Sequence, residues 1–379
     1  MKIKDQFAEI KENNNLINII LKVTNDCNLN CPYCYNQKKS YKKDKLDIKD
    51  FEYILNLSIK EYTNISITFH GGEPLLMGKD WYKQVGKMVE EKSKKFNKKI
   101  NLYLQSNGTL IDQEWIDIFK DNNIQVGLSF DGTNNDNTRK NTKKLVENFE
   151  LLKENDILPS AALIIIDSKI DLIREYELFN KLGINGKFDI VFNADGVNEI
   201  YNNLNIKKIV KNYCDLFDYY VQRKNGVVIS QFYHFISAIF DFKQIKNTCD
   251  NIVCNYKWVC IDSQGNMYPC GRVWPDNYTL GDIKELQSLK KAFESESYKK
   301  LIKSIINRMS SCQDKCIYYK YCQSGCPSTQ FMNTNNPKGI DDKYCYYYKT
   351  LYNHIESYLR DINKPINNKN IINLIENNM

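Results

Sequence analysis

Apolar and polar positions divide the chain into two unlike parts. From residue 17 to about 192, short β-branched runs alternate with longer stretches whose apolar residues recur at helical spacing. The runs INIILKV (17–23), ISITF (65–69), INLYLQ (100–105), IQVGLSF (124–130), ILPSAALIII (157–166) and KFDIVF (187–192) predict six strands. Between them, IKDFEYILNLSIKEY, WYKQVGKMVEE, QEWIDIFKD, TKKLVENFELLKEN and KIDLIREYELFNKLG predict amphipathic helices. Such alternation predicts an α/β fold with a parallel sheet, and six repeats suffice for a partial (β/α)6 barrel. The pattern alone does not separate a barrel from an open sheet. In both, ligands gather at the carboxyl ends of the strands. Polar clusters fall there: CNLNCPYC after the first strand, HGGEP after the second, SNGT after the third and DGT after the fourth.

Beyond about residue 225 the periodicity weakens. A helical stretch, QFYHFISAIFDFKQI, leads into a turn-rich region from Cys249 to Cys345. A last helix, YKTLYNHIESYLRDI, precedes an Asn-rich tail of uncertain order, NKPINNKNIINLIENNM. The expected organisation is an N-terminal segment (1–16), an α/β domain (17–225), a helical linker (226–248), a cysteine-rich domain (249–347) and a C-terminal helix with tail (348–379).

Composition narrows the function. The 379 residues leave room for two or three domains, and 42% hydrophobic content supplies a core. No run reaches the roughly 20 apolar residues of a membrane span. No signal-peptide pattern opens the chain, so a cytoplasmic protein without a membrane partner is expected. Thirteen cysteines in a reducing compartment point to metal or redox chemistry rather than disulfides. The net charge of +7 reads first as a solvated face. The sharper reading is attraction to an acidic partner, such as a peptide with an acidic leader. Lys and Glu alternate without a basic stripe of stacking aromatics, so no nucleic-acid partner is expected.

The candidate chemistry starts at Cys27, Cys31 and Cys34, spaced C-x3-C-x2-C. A structural zinc site would need a fourth ligand, for which His70 is a candidate. An iron–sulfur cubane on three thiolates instead leaves one iron open to a small molecule. Gly71, Gly72, Glu73 and Pro74 follow the second strand. The glycines allow close backbone approach, and Glu73 with nearby carbonyls suits an ammonium group. Ser106 and Asn107, Ser129 and Asp131, and the forked guanidinium of Arg139 complete a set suited to a ligand with an amino-acid end and a ribose. Each alone reads as strand-end turn chemistry; together they describe S-adenosylmethionine (SAM).

CNLNCPYC, GGEP, QSNGTL and LSFDG, in this order, resemble the radical SAM enzymes over residues 17–195. The resemblance implies a [4Fe–4S] cluster on Cys27, Cys31 and Cys34. Its open iron takes the amino and carboxylate groups of SAM, and an electron from the cluster splits the sulfonium to a 5′-deoxyadenosyl radical. It also implies that Gly71, Gly72 and Glu73 meet the methionyl ammonium. Ser129 and Arg139 would hold the carboxylate, and Tyr33 would lie near the adenine.

A second cysteine set comprises Cys254, Cys260, Cys270, Cys312, Cys316, Cys322, Cys326 and Cys345. Eight thiols suit two four-cysteine zinc sites or two cubane clusters equally well by count. GNMYPC together with C-x3-C-x5-C-x3-C resembles the SPASM extension of radical enzymes that modify peptides, with one extra residue in the first pair. That implies two auxiliary [4Fe–4S] clusters, three in all, one on Cys254, Cys260, Cys270 and Cys326 and one on Cys312, Cys316, Cys322 and Cys345. Cys214, in a helical pattern, reads as a buried thiol.

In SPASM relatives that mature sulfatases, an Asp acting as a base follows the position of Cys270; here Gly271 stands there. The expected function is therefore a maturase that forms a carbon–carbon or thioether crosslink in a ribosomal precursor peptide. Sulfatase-type formylglycine formation and epimerisation are the alternatives. Arg272 and Asp276 are candidate catalytic residues. A flavodoxin or ferredoxin is the expected electron donor. Several peptide maturases carry a leader-binding domain before the barrel. With Cys27 so early, either a separate leader-binding protein or the barrel's own basic surface is expected to take that role. A zinc-stapled binding protein without catalysis, or an electron carrier, are the readings from other classes.

Overall fold

The computed structural model describes residues 3–12, 14–36, 44–193, 198–241, 254–272, 278–336, 338–361 and 363–378. Six strands alternate with helices as the pattern predicts: β1 (Leu16–Thr24), β2 (Asn64–Gly71), β3 (Lys99–Ser106), β4 (Ile124–Ser129), β5 (Ser160–Ile165) and β6 (Asn185–Ile190). The intervening helices are Ile48–Glu61, Lys79–Phe96, Gln113–Asp121, Thr142–Glu154 and Leu172–Leu182. Asp47, Asp112 and Asp171 cap three of them, each side chain accepting from backbone N–H groups of the first turn.

Contacts divide the chain into two compact units, neither continuous in sequence. The first comprises residues 1–129, 143–158 and 253–307. Its strands run β4-β3-β2-β1, all parallel. The sheet then continues into the cysteine-rich region through β7 (Trp258–Ile261), β8 (Asn266–Tyr268) and β9 (Gly281–Asp282). β7 pairs parallel with β1, Asn18 facing Trp258 and Leu21 facing Ile261. β8 and β9 turn back antiparallel. Ile17, Ile19, Leu21 and Val23 of β1 are fully buried, which fits a central strand covered by helices.

The second unit comprises residues 130–142, 159–252 and 308–379. β5 and β6 pair in parallel. Helices Ile206–Gln222, Ser230–Phe240 and Asp342–Arg360 pack together through Tyr213, Phe217, Phe235, Tyr347 and Tyr352. The Asn-rich tail is ordered here. Asn368 is fully buried, donates to Tyr220 O, and caps a helix at Lys369–Glu376. Asn370 docks as well, donating to Gly226 O at 2.9 Å, so the tail that reads as uncertain in order supplies a cap and several docking contacts.

Candidate functional site

The loop after β1 carries Cys27, Cys31 and Cys34; the end of β2 is tied to it through backbone and the end of β3 through the Asn107 side chain. Gly72 N–H donates to Thr24 O at 2.8 Å and Glu73 N–H to Asp26 O at 2.7 Å. A Cβ on Gly71 would lie 2.3 Å from Thr24 O, and one on Gly72 2.0 Å from Asp26 O. Gly71 also has φ +124°, open to glycine. The paired glycines therefore serve close approach to the cysteine loop itself, where the sequence suggested approach to a ligand. Asn36, buried just past Cys34, donates to Gly71 O at 2.9 Å.

Glu73 is the strut beneath this contact. It is fully buried, and its carboxylate accepts from Leu75 N–H (3.0 Å), Ser106 Oγ (2.8 Å) and Asn107 N–H (2.8 Å). Burial raises its pKa and these three donors oppose the rise. The side chain is thus occupied by protein, leaving backbone carbonyls as the acceptors a ligand would meet. Pro74 opens a short turn that Glu73 caps. Ser106 is likewise internal, accepting from Gly108 N–H while donating to Glu73.

Asn107 closes a ring of side chains over the loop. Its Nδ2 donates to Asn28 Oδ1 (2.8 Å), Asn28 Nδ2 donates to Thr109 Oγ1 (2.9 Å), and Thr109 Oγ1 donates back to Asn107 Oδ1 (2.7 Å). Asn107 Nδ2 also reaches Cys27 Sγ at 4.0 Å, and Leu29 N–H approaches the same sulfur at 3.4 Å. Burial raises the Cys27 pKa, with Glu73 and Cys34 adding to it and the N–H donors opposing. Ligation by iron displaces such a proton, and N–H groups aimed at sulfur suit a thiolate ligand. The donor set fits a cluster. Tyr33 is buried within the loop. Ser129 Oγ accepts from Gln105 Nε2 at 3.0 Å, which leaves its hydroxyl proton to donate.

His70, the candidate fourth ligand, has its Nδ1 engaged: it accepts from Gly71 N–H at 2.7 Å. Burial and Lys22 pull its pKa down to about 4. Arg272 and the thiols of Cys34, Cys260 and Cys270 all act electrostatically on Tyr35, and Lys22 lies over its ring. Tyr35 thus stands beside cysteines from both sequence motifs. Sequence reasoning missed it, together with Asn28, Asn36 and Thr109. The only signal was the density of Asn and Tyr in CNLNCPYCYN. Cys254 lies on the turn before β7. Asp276 and Cys249 lie outside the described residues.

In the second unit, Asp131 and Arg139 form a pair. Asp131 Oδ2 accepts from Arg139 Nε (3.1 Å) and Thr138 Oγ1 (2.7 Å), and its Oδ1 accepts from Ile164 N–H (3.1 Å). Asp131 therefore positions Arg139 and β5; its oxygens are spent on protein donors. Burial pushes Cys322 to about 12 and Cys345 to about 11. Cys312, Cys316 and Cys345 act on Cys322, so this structure brings the four thiols assigned to one auxiliary cluster into one neighbourhood. Cys326 caps the helix Pro327–Thr334 through its sulfur. Cys214 is a half-buried helical thiol raised to about 11 by burial. Among the described residues no cysteine is in a disulfide. No group of three His, Cys, Asp or Glu there converges as a single-ion site. No helix among them is long and apolar enough to cross a membrane.

Thiols at a parallel sheet's ligand end, locked to glycine backbone, with a second thiol neighbourhood elsewhere, define an α/β protein with two groupings of cysteines. Residues 21–169 match the model of the radical SAM superfamily, and residues 249–326 match the SPASM iron–sulfur cluster-binding domain. The chain is a radical SAM/SPASM protein. It is 28% identical to the cysteine-type anaerobic sulfatase-maturating enzyme of Clostridium novyi over 363 residues, 88% of this chain and 93% of that one. It is 25% identical to the radical SAM cyclopropyl synthase TigE of Paramaledivibacter caminithermalis, covering 88% and 72%. The solved structure of native anSMEcpe with bound AdoMet and Cp18Cys peptide aligns with TM-score 0.77 at 23% identity, covering 91% of this chain and 98% of that one.

Proposed function

We propose that this radical SAM/SPASM enzyme acts on a ribosomally made peptide and forms a carbon–carbon or thioether crosslink. In this reading Cys27, Cys31 and Cys34 hold the SAM-binding cluster. Two auxiliary [4Fe–4S] clusters occupy the later cysteines, and a flavodoxin or ferredoxin donates electrons. The N-terminal cluster, when bound, would supply the electron that splits SAM into methionine and a 5′-deoxyadenosyl radical able to take one hydrogen atom from the peptide; the second electron of the crosslink would pass to an auxiliary cluster and its proton to solvent. The protein's part is placement and exclusion of water. The Asn28–Asn107–Thr109 ring fixes the loop, and Gly71, Gly72 and Glu73 present backbone carbonyls to the methionyl ammonium. Ser129 donates to the methionyl carboxylate, for which Arg139 is the second candidate.

The observation that carries crosslinking over formylglycine formation is Gly271. No carboxylate stands directly after Cys270, the next in sequence being Asp276. A Cβ at 271 would meet Ile20 Cδ1 of β1 at 2.7 Å, and the next side chain, Arg272, is a cation. The second reading, a sulfatase-type maturase, draws its support from the named Clostridium relative. Anaerobic reaction of a co-encoded short peptide with SAM and dithionite tests both. A crosslink removes two hydrogens and leaves a product inert to hydrazide. Capture by hydrazide would reveal an aldehyde and replace the crosslinking reading with the sulfatase-type one.

A further inference from the structure

Arg308 is among the most deeply buried large side chains of the molecule, 1% exposed. It sits on the helix Glu296–Gln313, one turn before Cys312, so the two side chains share a face. Its Nε donates to Ser324 Oγ at 3.4 Å. Ser324 lies midway along Cys322-Gln-Ser-Gly-Cys326. There Gln323, Ser324 and Gly325 take φ of 48°, 69° and 69° in succession. Three consecutive left-handed residues are costly for a chain with only one glycine among them. The result is a tight loop that folds back onto the guanidinium. The thiols of Cys326, Cys312 and Cys322 and the Tyr344 hydroxyl all act on it electrostatically. Tyr344 in turn accepts from Cys326 N–H at 2.9 Å.

Removing a guanidinium from water costs several kcal/mol unless negative charge meets it. Burial does press its pKa downward, yet arginine keeps its proton in proteins. Cysteines that bind iron do so as thiolates. A cubane on four thiolates is an anion, and one-electron reduction adds one further negative charge. A fixed cation beside it therefore favours both iron loading and the reduced form.

We propose that Arg308 is the charge-compensating residue of the auxiliary iron–sulfur region, holding its thiolates against loss of iron and keeping its reduction potential up. This rests on the cluster reading of the later cysteines. Arg308 acts through the thiolates and touches no reacting atom, so it is a positioning residue.

The test uses full-length protein reconstituted anaerobically with iron and sulfide. Iron and sulfide are counted, and the auxiliary clusters are titrated with dithionite under EPR in a C27A background, which removes the N-terminal signal. R308Q is expected to lower the auxiliary midpoint by about a tenfold change in the one-electron equilibrium, roughly 59 mV. R308K, which keeps the charge, is expected to stay near wild type. Loss of auxiliary iron from R308Q but not from R308K also supports the proposal. Unchanged iron and midpoint in R308Q overturns it. Equal loss of iron from both variants overturns it too, because shape rather than charge would then matter. The parent failing to load auxiliary iron, or holding zinc there, overturns the cluster reading itself and the proposal with it. That result is read before any Arg308 variant is made.

Discussion

The loop of Cys27, Cys31 and Cys34 and the segment from Cys312 to Cys326 both present closely spaced thiols, but they are held in opposite ways. The first is held from outside, by neutral hydrogen bonds from neighbouring strand ends: Gly72 and Glu73 to the loop backbone, Asn107 to Asn28 and toward Cys27. The second is held from within, by a buried cation and a left-handed turn that wraps it. Cys326 of the second is buried, and burial pushes Cys322 and Cys345 to about 12 and about 11. Under the proposed function the first site exchanges a cosubstrate and the second stores charge, and these different walls suit those two tasks.

The widest separation should come from cysteine substitution. C27A is expected to lose roughly four irons of about twelve, the content of one cubane among three, and to form no 5′-deoxyadenosine. C322A should lose a similar amount of iron while retaining uncoupled SAM cleavage. Iron analysis and chromatography of 5′-deoxyadenosine check both. Abolition of SAM cleavage by C322A would erase the division between the sites.

Next in size is the strut under the first site. In E73Q the amide NH2 would face donors from Ser106 or Asn107, since the native carboxylate accepts three hydrogen bonds. Each buried group left without a partner costs about 1–3 kcal/mol. The expected outcome is a lower denaturant midpoint and weaker SAM binding, with auxiliary iron unchanged. G72A should be harsher locally, because its Cβ would enter the Asp26 carbonyl. A midpoint for E73Q equal to wild type would show that the buried network is not under tension.

How much of this was legible beforehand follows from the kind of interaction involved. β1 to β6 and their helices declare themselves through periodicity, because each buries one face. Gln113–Asp121 appears at its sequence-derived bounds, since Asp112 caps it and the polar Asn122 ends it. β7 did not declare itself. WVCI is four residues long, and only its pairing with neighbours, the sequence-distant β1 above all, makes it a strand. Spacing singled out Cys27, Cys31 and Cys34. What Glu73 and Asp131 do was not legible, because a carboxylate in a motif reads as a ligand group until its acceptor sites are seen filled. Arg308 escaped for the opposite reason. In INRMSS it is one more cation on a helix, and only burial exposes its significance.

The smallest expected effect is acid sensitivity confined to the first site. His70 Nδ1 accepts the Gly71 N–H, so the ring must be neutral there. Its pKa falls from 6.5 to about 4 through burial and Lys22. The unfolded chain binds more protons than the folded one between those values, so this contribution is complete above about pH 6.5 and fades as pH falls toward 4. Solvent screening of this half-buried ring leaves a loss on the order of 1 kcal/mol. H70N keeps an acceptor near the position of Nδ1 and does not titrate, so its stability should vary less with pH over this window. Arg308 keeps its charge throughout it. Hydrogen exchange, corrected for intrinsic rates, should therefore show β2 and residues 71–73 loosening on acidification in wild type but not in H70N, while residues 308–326 respond equally in both. An identical pH response of residues 71–73 in the two proteins would remove His70 from the account of how the glycine turn is held.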